Sequence, residues 1–358
     1  MLKDTEKLFN YNMIVLARES RGVTQTNLAK SINISQGNLS KIEQGLLDAG
    51  IDVIVKIGNT LNYPLTFFQE EINQLPINHQ FHRKRKSIGK KYLSLIDANL
   101  TVRRLHLRKL LQSIEIEDNI PRLRIDKFGS PETIAQQIRH YWKLPSGPIK
   151  NLVGLLESKG LIIIYTKIYD KLDGMAVPSE ENIPIIYLNK NKTIDRQRFT
   201  LAHEFGHIVM HTDYIPKVDD DVEHEADKFA AELLMPSNEF TAMTKGKYIT
   251  IEELAFLKRY WRTSMASILY RLNHLEIITP QRYRSLNVEL SRLGYRKHEP
   301  ILGIPHEEPR LLKELVRSHL DNLNYSQKEL AEVLRMNLDE FEKTYIRTTM
   351  KLAHKRRI

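Results

Sequence analysis

The chain has 358 residues, 54 Lys and Arg against 44 Asp and Glu, a formal net charge of +10 and a pI near 9.4. It has no cysteine, which excludes disulfides and thiolate metal sites. No apolar run reaches the ~18 residues that a membrane span needs, and the charged start with Lys3, Asp4, Glu6 and Lys7 is unlike a secretion signal. The length suits two or three domains. The basic excess points to an anionic partner, nucleic acid first, and the expected location is the cytoplasm.

The first seventy residues read as short helices. Met13–Ser20 is one. Thr24 caps a second that runs to Ser31, Ile32–Ile34 makes a turn, and Ser35 caps a third that stops at Gly45. Leu28, Ala29, Ile34, Leu39 and Ile42 supply apolar contacts between them. This pattern resembles the repressor-type (Xre/Cro) helix-turn-helix. The resemblance implies that the third helix enters the major groove of an operator. By position, Ser35, Gln36, Asn38, Ser40 and Lys41 face DNA and Gln25 holds a phosphate. Asn and Gln suit adenine, and Lys suits guanine. The following loop, Leu46 to Gly50, carries no positive charge, unlike many relatives, so phosphate contact is not expected there. A helical domain used only for dimerisation is the bland reading.

Residues 79–111 hold Arg83, Lys84, Arg85, Lys86, Lys90, Lys91, Arg103, Arg104, Arg108 and Lys109 against one acid, Asp97. Leu93, Ile96, Leu100, Leu107, Leu110 and Leu111 interleave at helical spacing. This predicts a loop and a basic amphipathic helix, either gripping DNA phosphates or presenting a solvated face. Ser130–Lys143 and Ile149–Lys159 read as helices around Pro145–Pro148. Leu161–Tyr165 and Ile183–Asn189 read as strands, with Pro184 suiting a sheet edge.

His203-Glu204-Phe205-Gly206-His207 lies in a run, Arg198–His211, with the apolar period of a core helix. Histidines four apart share a helix face and can hold one zinc ion, with Glu204 turned toward the reacting water. A third ligand is needed. The segment Glu223–Pro236 is an amphipathic helix stopped by Pro236. Glu223 lies at its start, and Asp227 is placed one turn later to accept a hydrogen bond from a ligand histidine. Glu225 is a weaker ligand candidate and, like Glu232, reads as a solvated charge. His211 and His224 are also within reach of a metal, His211 reading as a helix-end residue and His224 as a surface one.

The phrases spanning 196–207 and 223–236 resemble the ImmA/IrrE metallopeptidases, which cut repressor proteins. The resemblance implies about one zinc per chain on His203, His207 and Glu223, with Glu204 as general base. It also implies, by analogy with thermolysin-like peptidases, an edge strand beside the zinc helix that pairs with substrate, assigned to 184–188. Tyr165, Tyr187 and Tyr214 are candidates for steadying the oxyanion.

Downstream, Ile251–Trp261 and Thr263–Leu272 resemble a second helix-turn-helix packed on the catalytic core, where Arg262 and Arg271 read as structural rather than as nucleic-acid contacts. Residues 309–346 are helical, and Tyr325–Leu334 has a further helix-turn-helix character. The sequence thus predicts a mainly α chain with a small β-sheet (α+β). Residues 1–72 form a DNA-binding domain, 73–125 a basic linker, 126–245 a zincin-like peptidase and 246–358 a C-terminal helical region. The expected partners are double-stranded operator DNA and a helix-turn-helix repressor as protein substrate, in a stress or mobile-element response. A toxin encoded nearby and a homodimer are left open. The alternative is a regulator or antitoxin-like protein with a silent or structural zinc site.

Overall fold

The computed structural model describes residues 9–71, 89–166, 172–177, 183–212, 214, 220–296, 298–300 and 303–347. The run Arg83–Lys86 and the basic tail His354–Ile358 lie outside the described residues. The fold is mainly helical with one small sheet. The chain divides into two compact units. One draws on Met1–Ile116 and Leu311–Ile358, the other on Glu117–Pro178 and Ile183–Arg310. The stretch 246–358, expected as one region, therefore splits after Arg310.

In the first unit, helices α1 (Tyr11–Ser20), α2 (Gln25–Ser31) and α3 (Gln36–Glu43) follow the predicted order, and a fourth, α4 (Ile51–Leu61), comes after them without having been predicted. The caps explain the boundaries. The Thr24 side chain accepts from Asn27 N at 3.2 Å and that of Ser35 from Asn38 N at 3.1 Å, satisfying amides that a helix start leaves open. Between α2 and α3, Asn33 takes a left-handed conformation (φ 58°), which Asn tolerates well. Gly45 ends α3 at φ 70°, and a Cβ there would meet the Tyr11 ring at 2.9 Å. Met13, Leu28, Leu39, Ile54 and Phe67 form the core.

The basic helix, Lys90–Leu111, is more than a connector. It buries Ala98, Val102 and Leu105 in that same core, and its Leu110 packs with Val316, Leu330 and Phe341 of the C-terminal helices. Its charges are partly spent internally: Lys109 Nζ lies 2.8 Å from Glu70, and the Arg103 guanidinium stands 5.4 Å from the Tyr345 ring centre. The C-terminal helices Leu311–Asp321, Gln327–Val333 and Leu338–Phe341 repeat the N-terminal turn chemistry. Ser326 forms a capping box with Glu329, and Arg335 is left-handed (φ 56°) as Asn33 is. Arg21 pairs with Glu340, its Nη1 donating at 2.7 Å.

In the second unit, β1 (Ile162–Thr166), β2 (Gly174–Val177) and β3 (Ile185–Asn189) form one sheet of order β1-β3-β2. β1 runs parallel and β2 antiparallel to β3. The expectation of an edge strand at 184–188 is therefore corrected: β3 is central. Every residue of β3 is buried, as its unbroken apolar run requires of a strand covered on both faces. Pro184 precedes the strand, where its missing N–H costs no ladder bond, and its carbonyl accepts from Ile162 N at 3.0 Å. The edge strand on the other side is β2, which sequence reading passed over.

The histidine helix Ile194–His211 and the acidic helix Val222–Leu234 cross closely over a core that includes Leu201, Phe205, Phe229, Leu233 and Trp261. Gly206 permits the crossing, since a Cβ there would meet the Phe229 ring at 2.9 Å. The helices Ile251–Trp261 and Met265–His274 close the core with Leu254 and Ile268.

Glu232, expected as a solvated charge, is 1% exposed. It pairs with the buried guanidinium of Arg271 and accepts from Gln136 Nε2 at 2.8 Å and from Ser237 N at 3.0 Å. Arg271 also donates from Nη2 to the Met235 carbonyl at 3.0 Å, tying down the end of the acidic helix. Arg262 reaches the Lys150 carbonyl. Both arginines are thus structural members of this unit.

Candidate metal centre and nucleic-acid interface

The one-turn spacing of His203 and His207 brings their Nε2 atoms to 3.2 Å. Glu223, in the first turn of the acidic helix, points its carboxylate at both, 3.5 Å from His203 Nε2 and 3.4 Å from His207 Nε2. One donor atom from each of the three lies within 4.8 Å of the other two. The histidines are buried and Glu223 half-buried.

The outer nitrogens are held as well. His203 Nδ1 lies 2.7 Å from Asp227 Oδ1. An ionised carboxylate only accepts, so the proton is on Nδ1 and the His203 Nε2 lone pair faces the cluster. His207 Nδ1 is 3.0 Å from His211 Nδ1, and His211 Nε2 is 2.9 Å from Glu225 Oε2. His211 is 1% exposed. Burial first, then the neighbouring His207, pulls its pKa from 6.5 down to about 3, so the ring is neutral.

Two imidazole lone pairs and a carboxylate that converge in this way call for a cation. Zinc takes this donor set, and three protein ligands leave room for a reacting molecule. The residues present fit a catalytic zinc.

Glu204 is 4% exposed, and its Oε2 accepts from Ala176 N of β2 at 2.9 Å. The Glu204 carboxylate is therefore fixed against the edge strand. His224 is exposed, as expected. His211 ends its helix, as expected, but it is buried and paired with Glu225 of the acidic helix, so Glu225 is not the solvated charge it resembles in sequence. Of the three tyrosines, Tyr165 donates to the Glu307 carbonyl at 2.8 Å and Tyr187 is buried in β3. Tyr214 stands beside the histidine row, its ring centre 6.4 Å from that of His211.

In the first unit, Gln36, Asn38 and Lys41 are exposed on α3, while Leu39, Ile42 and Glu43 are buried. Ser35 spends its hydroxyl on the cap, and Ser40 accepts from Gln44 Nε2 at 3.2 Å. Gln25 Nε2 donates to Glu43 Oε2 at 3.0 Å, and Gln36 Nε2 donates to Gln25 Oε1. Arg18 donates from Nε to Glu43 Oε1 at 2.7 Å. This network orients the start of α3, and sequence inspection did not reveal Arg18 or Glu43.

Two family models match the chain. Residues 157–273 match the IrrE N-terminal-like domain, and residues 14–68 match the helix-turn-helix. No curated protein matches. Among solved structures, Bacillus thuringiensis PlcR in complex with the peptide PapR7 and DNA is similar at 14% identity over 98% of this chain and 99% of that chain, with a TM-score of 0.16. So loose a superposition carries no argument.

Proposed function

From a chain that joins a repressor-type helix-turn-helix to an IrrE N-terminal-like domain, we propose a DNA-binding regulator that is also a zinc-dependent endopeptidase. The observation that supports this reading most is the convergence of His203 Nε2, His207 Nε2 and the Glu223 carboxylate beside Glu204.

His203, His207 and Glu223 would hold the zinc, and Asp227 keeps His203 in its ligating tautomer. Bound there, zinc supplies Lewis acidity toward a peptide carbonyl and toward water. Glu204 takes the proton of the attacking water and returns it to the leaving amine nitrogen, as a general base and then acid. β2 offers an extended peptide a backbone to pair with, and the hydrogen bond from Ala176 to Glu204 sets the base at that strand. The substrate class that fits the paired domains is another helix-turn-helix regulator, cut in an extended segment after stress or mobile-element induction. Gln25, Ser35, Gln36, Asn38, Ser40 and Lys41 form the operator-facing set, with base reading assigned to the exposed Gln36, Asn38 and Lys41.

Elemental analysis tests the metal. About one zinc per chain is expected for a single site. The His203→Ala/His207→Ala double variant loses it and Glu204→Gln keeps it. Full zinc in the double variant would sink the assignment. For DNA, Lys41→Ala is expected to weaken operator binding about tenfold to a hundredfold if it reads guanine. Unchanged affinity in a competition gel shift removes Lys41 from the interface.

The second reading is a DNA-binding regulator or antitoxin-like protein whose zinc site is silent. It differs in one outcome: zinc and operator bind, and no protein is cut.

A further inference from the structure

Ligation alone does not explain the arrangement behind His207. His211 is buried, and both of its ring nitrogens are engaged, Nδ1 with His207 Nδ1 at 3.0 Å and Nε2 with Glu225 Oε2 at 2.9 Å. A His207 that ligates through Nε2 carries its ring proton on Nδ1, where His211 Nδ1 is placed to accept it. His211 then carries its own proton on Nε2, placed to be given to Glu225 Oε2. Each hydrogen bond dictates the next, from the ligand atom on the histidine helix to Glu225 on the acidic helix.

We propose that His211 and Glu225 are positioning residues, a carboxylate–imidazole pair that holds His207 in the tautomer and orientation able to ligate a metal. The role rests on the zinc reading above. His203 receives the same service from Asp227 directly, at 2.7 Å. His207 lies one turn further along the histidine helix, and His211 bridges from it to the next carboxylate of the acidic helix. The two ligand histidines thus each depend on a carboxylate of that helix, one by direct contact and one through a buried imidazole. Outer partners of this kind commonly change metal affinity by about 10–100-fold when removed.

The test uses the full chain with ¹⁵N-labelled histidine, first metal-free and then with zinc alone. Long-range ¹H–¹⁵N spectra are expected to show the Nε2–H tautomer at His211 and the Nδ1–H tautomer at His207. By competition with a chromophoric chelator, His211→Ala should bind zinc about 10–100-fold more weakly, and Glu225→Ala toward the lower end of that range. His211→Gln should recover most of the loss, since its amide oxygen can accept from His207 and its amide nitrogen can donate to Glu225. A role in packing alone predicts no such rescue and no fixed tautomer. An Nδ1–H proton on His211, or wild-type zinc affinity in the alanine variants, overturns the proposal while leaving the zinc reading intact. A wild-type chain that takes up no zinc overturns the zinc reading instead, and the metal-free spectra still decide the tautomers.

Discussion

Glu204→Gln is expected to leave zinc content and folding unchanged and to lower the rate of peptide cleavage by about 10²–10⁴-fold, the usual worth of a general base. The substitution is nearly isosteric. The glutamine oxygen can still accept from Ala176 N, which Glu204 Oε2 does at 2.9 Å, so the edge strand keeps its anchor. What disappears is the carboxylate that can take a proton from water and return it to the amine. The proposed ligands His203, His207 and Glu223 remain. Single-turnover cleavage of a model peptide by the zinc-loaded variant measures the effect. A rate within a few-fold of wild type would assign proton transfer to another group.

Arg271→Met is expected to destabilise the second unit by about 3–5 kcal/mol, because it strands a buried carboxylate. Arg271 and Glu232 are each 1% exposed. Glu232 would keep Gln136 and Ser237 as donors, which places the loss toward the lower end of that range. The Met235 carbonyl would also lose its guanidinium partner. Arg271→Met with Glu232→Leu should be more stable than the single variant, since it removes the stranded charge. Both tryptophans, Trp142 and Trp261, lie in or against the core of this unit, so denaturant unfolding followed by tryptophan fluorescence reports on it selectively. A single-variant loss below about 1 kcal/mol would mean that water or rearrangement solvates Glu232.

The elements with local causes were legible in the sequence. Thr24 and Ser35 announced helix starts because a hydroxyl caps the amides just ahead of it. The pair His203 and His207 announced a shared helix face because four residues make about one helical turn. The ends of these helices shifted by a few residues, as at Ile194, where the histidine helix begins earlier than Arg198.

What stayed hidden depends on partners far along the chain. Glu232 looks solvent-facing on its own helix, and its guanidinium comes from Arg271, 39 residues on. His211 ends its helix as it looks to, but its burial against Glu225 of another helix does not show in the sequence. β2, Gly174-Met-Ala-Val177, is four residues with no alternation and is a strand only because β3 pairs with it. Pro184 suggested an edge, yet it stands just before the strand, where only its carbonyl takes part in the ladder, and β3 runs through the middle of the sheet. Likewise, the basic helix looked like a DNA-gripping connector because its charges are conspicuous. Its buried face, Ala98, Val102 and Leu105, belongs to the helix-turn-helix core, a contact that periodicity alone does not assign to a partner.

The central claim is that one chain both binds an operator and cuts a regulatory protein. It is tested most directly by co-expressing the chain with the helix-turn-helix regulator encoded beside it and mapping new termini by mass spectrometry under inducing conditions. The account predicts one discrete cut in an extended segment, present with the wild-type chain and absent with Glu204→Gln. A cut that persists in Glu204→Gln, or no cut under any inducing condition while operator binding stays intact, would contradict it.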